Sequence, residues 1–366
     1  MTTKTHFEIA VLPGDGIGVE VIAPTVRLLE QLASRSDSFT LGFKHCDAGA
    51  LHYQKTGEAL PDATMDSCRN ADAILLGAMG WPELRYPDGT EIAPQLDLRT
   101  EFQLFAGVRP IRSIPGIPSA LSDARGADID FVLIRESVEG LFALRNEGVV
   151  IDDREARDTM VITRAICEQL FDFAFAYTRE RKKTGTPGRL TCVDKANVFA
   201  SLAFFRKIFD ERHAGFSDIA VEHAYVDATA LNMIKKPWAF DVMVTENMFG
   251  DILSDLGAGL MGGMGFAPSA DIGINNAVFQ PSHGSAPDIA GKGMANPTAA
   301  ILSGAMMLEW LGTRYTNPAA LAAGRQLRDA VDRAFQAGLA PYEIGGKDGT
   351  SAIADAVEAA LEQEYA

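Results

Sequence analysis

Two aspartates with helical spacing form a candidate metal-binding site in this chain. Asp251 and Asp255 stand four apart in a run that predicts a helix over residues 247–260, so both carboxylates share one side. Such a pair can hold a hard cation, Mg²⁺ or Mn²⁺, that keeps positions open for water or substrate. A solvated acidic helix face is the alternative, but the surrounding glycines indicate close approach by backbone or ligand. The apolar face of this helix is predicted to comprise Ile252, Leu253 and Leu256.

A second candidate site follows in the string HGSAPDIAG at residues 283–291. Small residues and a proline predict a tight loop whose backbone N–H groups suit a phosphate, and Asp288 offers a carboxylate to ribose hydroxyls. An acid here would repel a 2′-phosphate, so a dinucleotide on this loop is expected to be NAD rather than NADP. A surface turn is the alternative for the motif taken alone.

Composition limits the class of protein. The chain has 366 residues, 47% of them hydrophobic and 22% charged, which is enough for a large core in two lobes. A net charge of −16 argues against nucleic acid or anionic membranes as partners. No apolar run approaches the length of a bilayer span, and four scattered cysteines suit a reducing compartment, so a cytoplasmic location is expected.

The elements that must position these residues alternate between strand and helix. Residues 7–12, 73–76 and 131–134 predict strands, and 19–33 predicts a helix. Apolar runs predict further helices at 158–181 and 198–209. The alternation indicates an α/β fold, but the glycines at 14, 16 and 18 do not have the spacing of a Rossmann turn, and no P-loop is present.

Taken together, the motifs resemble the β-decarboxylating dehydrogenases, the isocitrate/isopropylmalate dehydrogenase family. The resemblance runs nearly from end to end and keeps the family's order. Besides the two sites above, it is carried by LPGDGIG at 12–18, Arg99, FAGVRP at 105–110, RE at 135–136, VDKAN at 193–197, VEHAYVDA at 221–228 and NPTAA at 296–300.

The resemblance implies a two-lobed α/β/α fold of the isopropylmalate-dehydrogenase type, not a Rossmann fold. Residues 1–105 and 258–366 would form a cofactor-binding lobe, and residues 106–257 a lobe for dimerisation, substrate and metal. It also implies a homodimer with shared active sites, in which Lys195, Asn197 and Asp227 come from the neighbouring subunit. No nucleic acid or membrane partner is expected.

The implied activity is NAD-dependent oxidation of a malate-type 2-hydroxy acid followed by decarboxylation. Arg99, Arg109 and Arg135 would hold the dicarboxylate substrate through paired hydrogen bonds. Lys195 would be the base for the hydroxyl proton. The metal, Mg²⁺ or Mn²⁺, would be held by Asp227, Asp251 and Asp255. Asp227 would also contact the substrate and take part in catalysis. The cofactor would be bound by Ile17, Asn197, His283, Gly284, Ser285, Ala286, Asp288 and Asn296.

Three departures from the family pattern bear on this expectation. Phe142 stands where the family has a tyrosine that reprotonates the product, and Gln280 replaces a common glutamate, removing a negative charge near the cofactor. Gln95 and Leu96 stand where isopropylmalate dehydrogenases have paired leucines around the C3 substituent. The activity is expected to be closest to 3-isopropylmalate dehydrogenase, with tartrate or D-malate dehydrogenase as the alternative. A non-catalytic NAD-binding regulatory relative is the alternative of another class.

Overall fold

A ten-stranded sheet forms the centre of the molecule in the computed structural model, which describes residues 4–363. A two-stranded ribbon lies apart from it. The strands are β1 (His6–Gly14), β2 (Thr40–His45), β3 (Ala73–Ala78), β4 (Ala106–Arg112), β5 (Asp130–Glu136), β6 (Val149–Ile151), β7 (Glu155–Arg157), β8 (Arg189–Asp194), β9 (Ala220–Tyr225), β10 (Val242–Thr245), β11 (Pro268–Ile272) and β12 (Ala277–Pro281).

Helices accompany the strands along the whole described chain. Among the helices within residues 4–363, none combines the length and apolar character that crossing a bilayer requires. They are α1 (Ile17–Ser34), α2 (Ala50–Thr56), α3 (Asp62–Asn70), α4 (Pro94–Glu101), α5 (Arg164–Lys183), α6 (Ala200–His213), α7 (Val226–Lys235), α8 (Asn247–Met261), α9 (Thr298–Arg314), α10 (Pro318–Gln336) and α11 (Thr350–Gln363).

The order of strands in the large sheet is β2-β1-β3-β12-β11-β4-β5-β10-β8-β9. The strands pair in parallel except around β11 and β4, where β12–β11, β11–β4 and β4–β5 are antiparallel. Strands from residues 6–78 and 268–281 thus occupy one half of the sheet, and strands from 106–245 the other. The division into lobes near residues 105 and 257 stays a prediction.

Burial explains the sequence of the central strands. Every residue of β3 and β10 is buried, as expected for parallel strands covered on both faces. The edge strand β9 is different, because most of its residues are exposed. The predicted α/β character is confirmed. The predicted helix at 158–181 begins later than expected, because β7 precedes it and the Thr163 side chain caps its first turn at Ile166.

Candidate functional site

A cavity of about 250 Å³ lies beyond the carboxyl ends of β3, β5 and β12. Helices α4 and α8 close its sides. Both positively and negatively charged side chains that the sequence singled out line it, namely Arg99, Arg109, Arg135, Asp251 and Asp255. The cavity therefore joins the predicted substrate residues to two of the three predicted metal ligands.

The three arginines are held by hydrogen bonds from several elements. Arg109, buried on β4, donates from Nη1 to the carbonyls of Val108 and Ala270 at 3.3 and 3.0 Å. Arg135, buried on β5, donates from Nε to Asn247 Oδ1 at 2.9 Å and from Nη1 to Asp251. Fixed guanidinium groups lose little conformational freedom when they bind a carboxylate.

The cavity carries concentrated positive charge. Burial and the neighbouring Arg99 guanidinium lower the pKa of Arg135 to about 10. An anion that enters beside these guanidinium groups is stabilised by their charge. A strongly acidic protein can thus hold an anionic substrate through a local positive pocket.

Helix α8 presents the acidic pair to the cavity. Glu246 caps this helix, accepting from the backbone N–H groups of Met248 and Phe249 at 3.0 and 3.3 Å. Gly250 is required for close packing, because a Cβ there would lie 2.6 Å from Arg135 Cγ. Burial at the cavity wall and the nearby Asp251 raise the pKa of Asp255, a charge repulsion that a bound cation would relieve. Two carboxylates in this position fit a divalent metal ion.

The predicted apolar face of α8 is covered only in part on the single chain. Ile252, one of its three residues, is 63% exposed. Leu253 is buried and Leu256 is half-buried, so the inward face is narrower than the apolar pattern predicts. Helical spacing alone does not distinguish an inward side chain from one that lies on an exposed apolar surface.

Lys195, Asn197 and Asp227 lie outside this cavity of the single chain. Lys195 Nζ donates to Asp227 Oδ1 at 2.5 Å, and this bond lowers the pKa of Asp227. Asn197 is exposed beside them. Within residues 4–363 of one chain, no three His, Cys, Asp or Glu side chains are arranged to hold a metal ion.

Asp194, the neighbour of Lys195, is a structural residue. It is fully buried, pairs with Arg206 at 2.6 Å and accepts from the backbone N–H of Ala196 at 2.8 Å. These contacts fix the turn that carries Lys195 and Asn197.

The residues expected around the substrate's C3 substituent and at the protonation step line the same cavity. The Arg135 guanidinium carbon lies 5.4 Å from the centre of the Phe142 ring. Gln95 and Leu96, at the start of α4, lie in the wall. The buried Gln95 Oε1 has no hydrogen-bond partner among the described residues. An unpartnered buried acceptor is costly, so a ligand with a donor is favoured here.

The predicted cofactor loop packs on the start of α1. Ile17 N donates to the Ser285 carbonyl at 2.8 Å, and Ser285 Oγ donates to the Gly80 carbonyl at 2.5 Å. Gly16 permits this contact, because its φ is +55° and a Cβ there would lie 2.0 Å from Ser285 O. Gly284 and Asp288 are exposed, and Ala286 has a left-handed φ of 38°.

Of the two predicted cofactor residues His283 and Asn296, only His283 has a side-chain nitrogen without a hydrogen-bond partner among the described residues. His283 Nδ1 is 2.9 Å from the Gly284 carbonyl, which can only accept, so Nε2 is the acceptor of the neutral ring. Burial lowers the pKa of His283, and its Nε2 has no partner among the described residues. That orphaned acceptor fits a donor group of a nucleotide. The Asn296 side chain is instead occupied by Thr298 and Glu343.

Sequence reasoning missed Asp271, a carboxylate on β11 that accepts from Arg99 Nε at 3.1 Å and Arg109 Nη2 at 3.0 Å. The sequence signal that could have found it is an acid among the small and apolar residues of a short strand, because a buried acid is rare unless it is paired. Gln280 donates to Asp271 at 2.8 Å. Asp271, on the adjacent strand β11, therefore supplies the negative charge that is absent at Gln280.

Known proteins resemble this chain over almost its whole length. The 3-isopropylmalate/3-methylmalate dehydrogenase of Methanocaldococcus jannaschii is 39% identical over 358 residues, which is 98% of this chain and 99% of that protein. The 3-isopropylmalate dehydrogenase of Methanothermobacter thermautotrophicus is 39% identical over 356 residues, 97% of this chain and 98% of that protein.

Solved structures lead to the same family. The isocitrate dehydrogenase of Methylococcus capsulatus superposes with a TM-score of 0.85 at 34% identity, covering 98% of this chain and 100% of that one. A β-decarboxylating dehydrogenase of Thermococcus kodakarensis gives 0.79 at 34% identity, covering 98% and 96%. The family profile described as isocitrate/isopropylmalate dehydrogenase matches residues 8–357. The predicted resemblance and fold class are confirmed, and the chain belongs to the isocitrate/isopropylmalate dehydrogenase family.

Proposed function

We propose that this chain is a decarboxylating dehydrogenase that oxidises a malate-type 2-hydroxy acid with NAD and requires Mg²⁺ or Mn²⁺. The observation that carries the proposal is the convergence of three guanidinium groups with Asp251 and Asp255 in one cavity. Cationic side chains beside an acidic pair fit an anionic substrate bound together with a cation. The names of the relatives support malates as the substrate class.

The side chains divide the work between binding and proton transfer. Arg99, Arg109 and Arg135 hold the substrate carboxylates and so orient C2 and its hydroxyl. Lys195 of the partner subunit accepts the hydroxyl proton at Nζ. Asp251 and Asp255, with Asp227 of the partner subunit, would hold the metal. When bound, the metal supplies Lewis-acid polarisation and NAD supplies the hydride acceptor.

A homodimer would bring these groups together. Exposed apolar side chains occur on the turn after β8, on α7 and on α8, the elements that carry Lys195, Asp227 and Asp251; they are Val198, Phe199, Leu231, Ile234 and Ile252. Exposed apolar patches of this kind mark interaction surfaces. In a two-fold dimer the same surface meets itself, so each subunit can complete the other's site.

We expect Leu231→Glu to convert the dimer into a monomer with little activity. Leu231 is 58% exposed on this chain, and a carboxylate there would be buried without a partner at the interface. Sedimentation velocity and turnover measure the two effects. The matched control is Ile274→Glu, a 59% exposed position in the turn between β11 and β12. A monomer with full turnover would refute the shared site.

We expect Phe142→Tyr to raise turnover if protonation of the product limits the rate. A phenyl ring cannot donate a proton, whereas a tyrosine hydroxyl in this cavity can. Single-turnover formation of decarboxylated product is the measurement. An unchanged or lower rate would count against a proton-transfer role at this position.

The nature of the C3 substituent defines the alternative substrates. The unpartnered Gln95 Oε1 favours a substituent that donates a hydrogen bond, which supports tartrate, with its C3 hydroxyl, beside 3-isopropylmalate. D-malate, which has no substituent at C3, is the other alternative. NADH formation with Mn²⁺, NAD⁺ and a panel of 3-isopropylmalate, D-malate, tartrate and isocitrate tests the proposal. Absence of NADH formation with every acid of the panel would favour a non-catalytic regulatory protein.

A further inference from the structure

Asp271 lies at the centre of the arginine cluster, although the proposed reaction gives it no role. Its side chain is 1% exposed. Four side chains donate to it: Arg99 of α4, Arg109 of β4, Gln280 of β12 and Ser137 just after β5, at 3.1, 3.0, 2.8 and 3.5 Å. A carboxylate so completely enclosed and bonded has one fixed position.

This carboxylate is charged under ordinary conditions. Burial by itself would raise the pKa of Asp271, but Arg99, Arg109 and Arg135 outweigh it and lower the pKa to about 2. One of the three positive charges of the cavity is therefore balanced permanently by the protein. The remaining charge available to a substrate is smaller than the number of arginines indicates.

Asp271 also accepts hydrogen bonds from N–H groups that would otherwise be available to a substrate. Arg109 gives three hydrogen bonds within the protein, two to carbonyls and one to Asp271. A guanidinium has about five N–H groups, so few remain on Arg109 for a ligand. Arg99 likewise directs Nε to Asp271 rather than into the cavity.

We propose that Asp271 is a specificity-determining residue that limits the arginine cavity to dicarboxylate substrates and disfavours tricarboxylates. It does so by balancing one guanidinium charge and by occupying donors of Arg99 and Arg109. A third substrate carboxylate would meet a buried negative charge in place of free donors. This inference rests on the proposed function, because it assumes that the cavity binds the acid that is oxidised.

The test compares binding of D-malate and isocitrate to the metal-free protein by isothermal titration calorimetry, with kcat/KM for both acids measured in parallel. Asp271→Asn is expected to raise the isocitrate-to-malate affinity ratio roughly tenfold, the effect of one added unit of positive charge near the ligand. Asp271→Asn with Gln280→Glu exchanges the amide and the carboxylate. It is expected to return the ratio to near the wild-type value.

Two further variants keep the test decisive. Asp241→Asn removes another buried carboxylate, which is paired with Arg181 at 3.1 Å at the opposite end of β10, and is expected to leave the ratio unchanged. Gln280→Glu alone adds a negative charge beside Asp271 and is expected to lower the ratio. This arm gives an answer even if Asp271→Asn fails to fold.

The inference is overturned if folded Asp271→Asn weakens both acids equally, or if Gln280→Glu leaves the ratio unaltered. Either result would leave Asp271 a purely structural residue. Failure of the proposed function is a separate result, seen as absence of NADH formation from every acid. The calorimetric ratio still reports on Asp271 in that case, so the two failures are distinguishable.

Discussion

Refolding equal amounts of Lys195→Met and Asp251→Asn chains together is expected to restore about a quarter of wild-type turnover. Each variant alone is expected to lose roughly 10²- to 10⁴-fold in kcat, because one lacks the base and the other a metal ligand. In a mixed dimer both defects fall in one shared site, and the other site has neither. Half of the dimers are mixed, and each has one intact site.

Turnover of the mixture, compared with each variant refolded alone, checks this prediction. Lys195→Met and Asp251→Asn chains that are refolded separately and then combined are the control, because they contain no mixed dimers unless subunits exchange. Because Lys195 and Asp227 form an exposed pair outside the cavity of their own chain, complementation requires a second subunit. A mixture no more active than its components would show that Lys195 serves the site of its own chain or none.

Asp255→Asn is expected to remove metal activation, with the Mn²⁺ concentration for half-maximal activity rising by roughly 10²-fold or more. Asp255 is the better position for this experiment than Asp251, which also contacts Arg135. Burial and the nearby Asp251 raise the pKa of Asp255, and the variant removes this disfavoured charge together with a ligand oxygen. Binding of Mn²⁺ followed by electron paramagnetic resonance gives a readout independent of turnover.

The control for the metal experiment is Asp218→Asn, an exposed carboxylate paired with Arg179 far from the cavity. It tests whether loss of one surface charge changes metal affinity in this acidic protein. Equal Mn²⁺ affinity in wild type, Asp255→Asn and Asp218→Asn would rule out α8 as the metal-binding helix.

Much of the fold follows from sequence pattern. The continuous apolar run of β3 and the acid-capped, glycine-rich stretch of α8 have the composition of a buried parallel strand and of a helix packed closely on its neighbour. The predicted helix at 247–260 therefore corresponds to Asn247–Met261. The pattern did not predict that Ile252 is exposed on the single chain, because periodicity reports apolarity, whereas burial depends on what covers the surface.

The amino-acid sequence is enough to assign the family, the α/β class and the side chains with the capacity for this chemistry, because residue type and spacing fix charge, hydrogen-bonding capacity and local periodicity. Which of these groups meet depends on the tertiary structure. It brought Arg99, Arg109 and Arg135 around Asp271, and it placed Lys195 with Asp227 outside the cavity. Residues from 99 to 271 converge only because distant strands pair in one sheet, and no local pattern encodes that pairing.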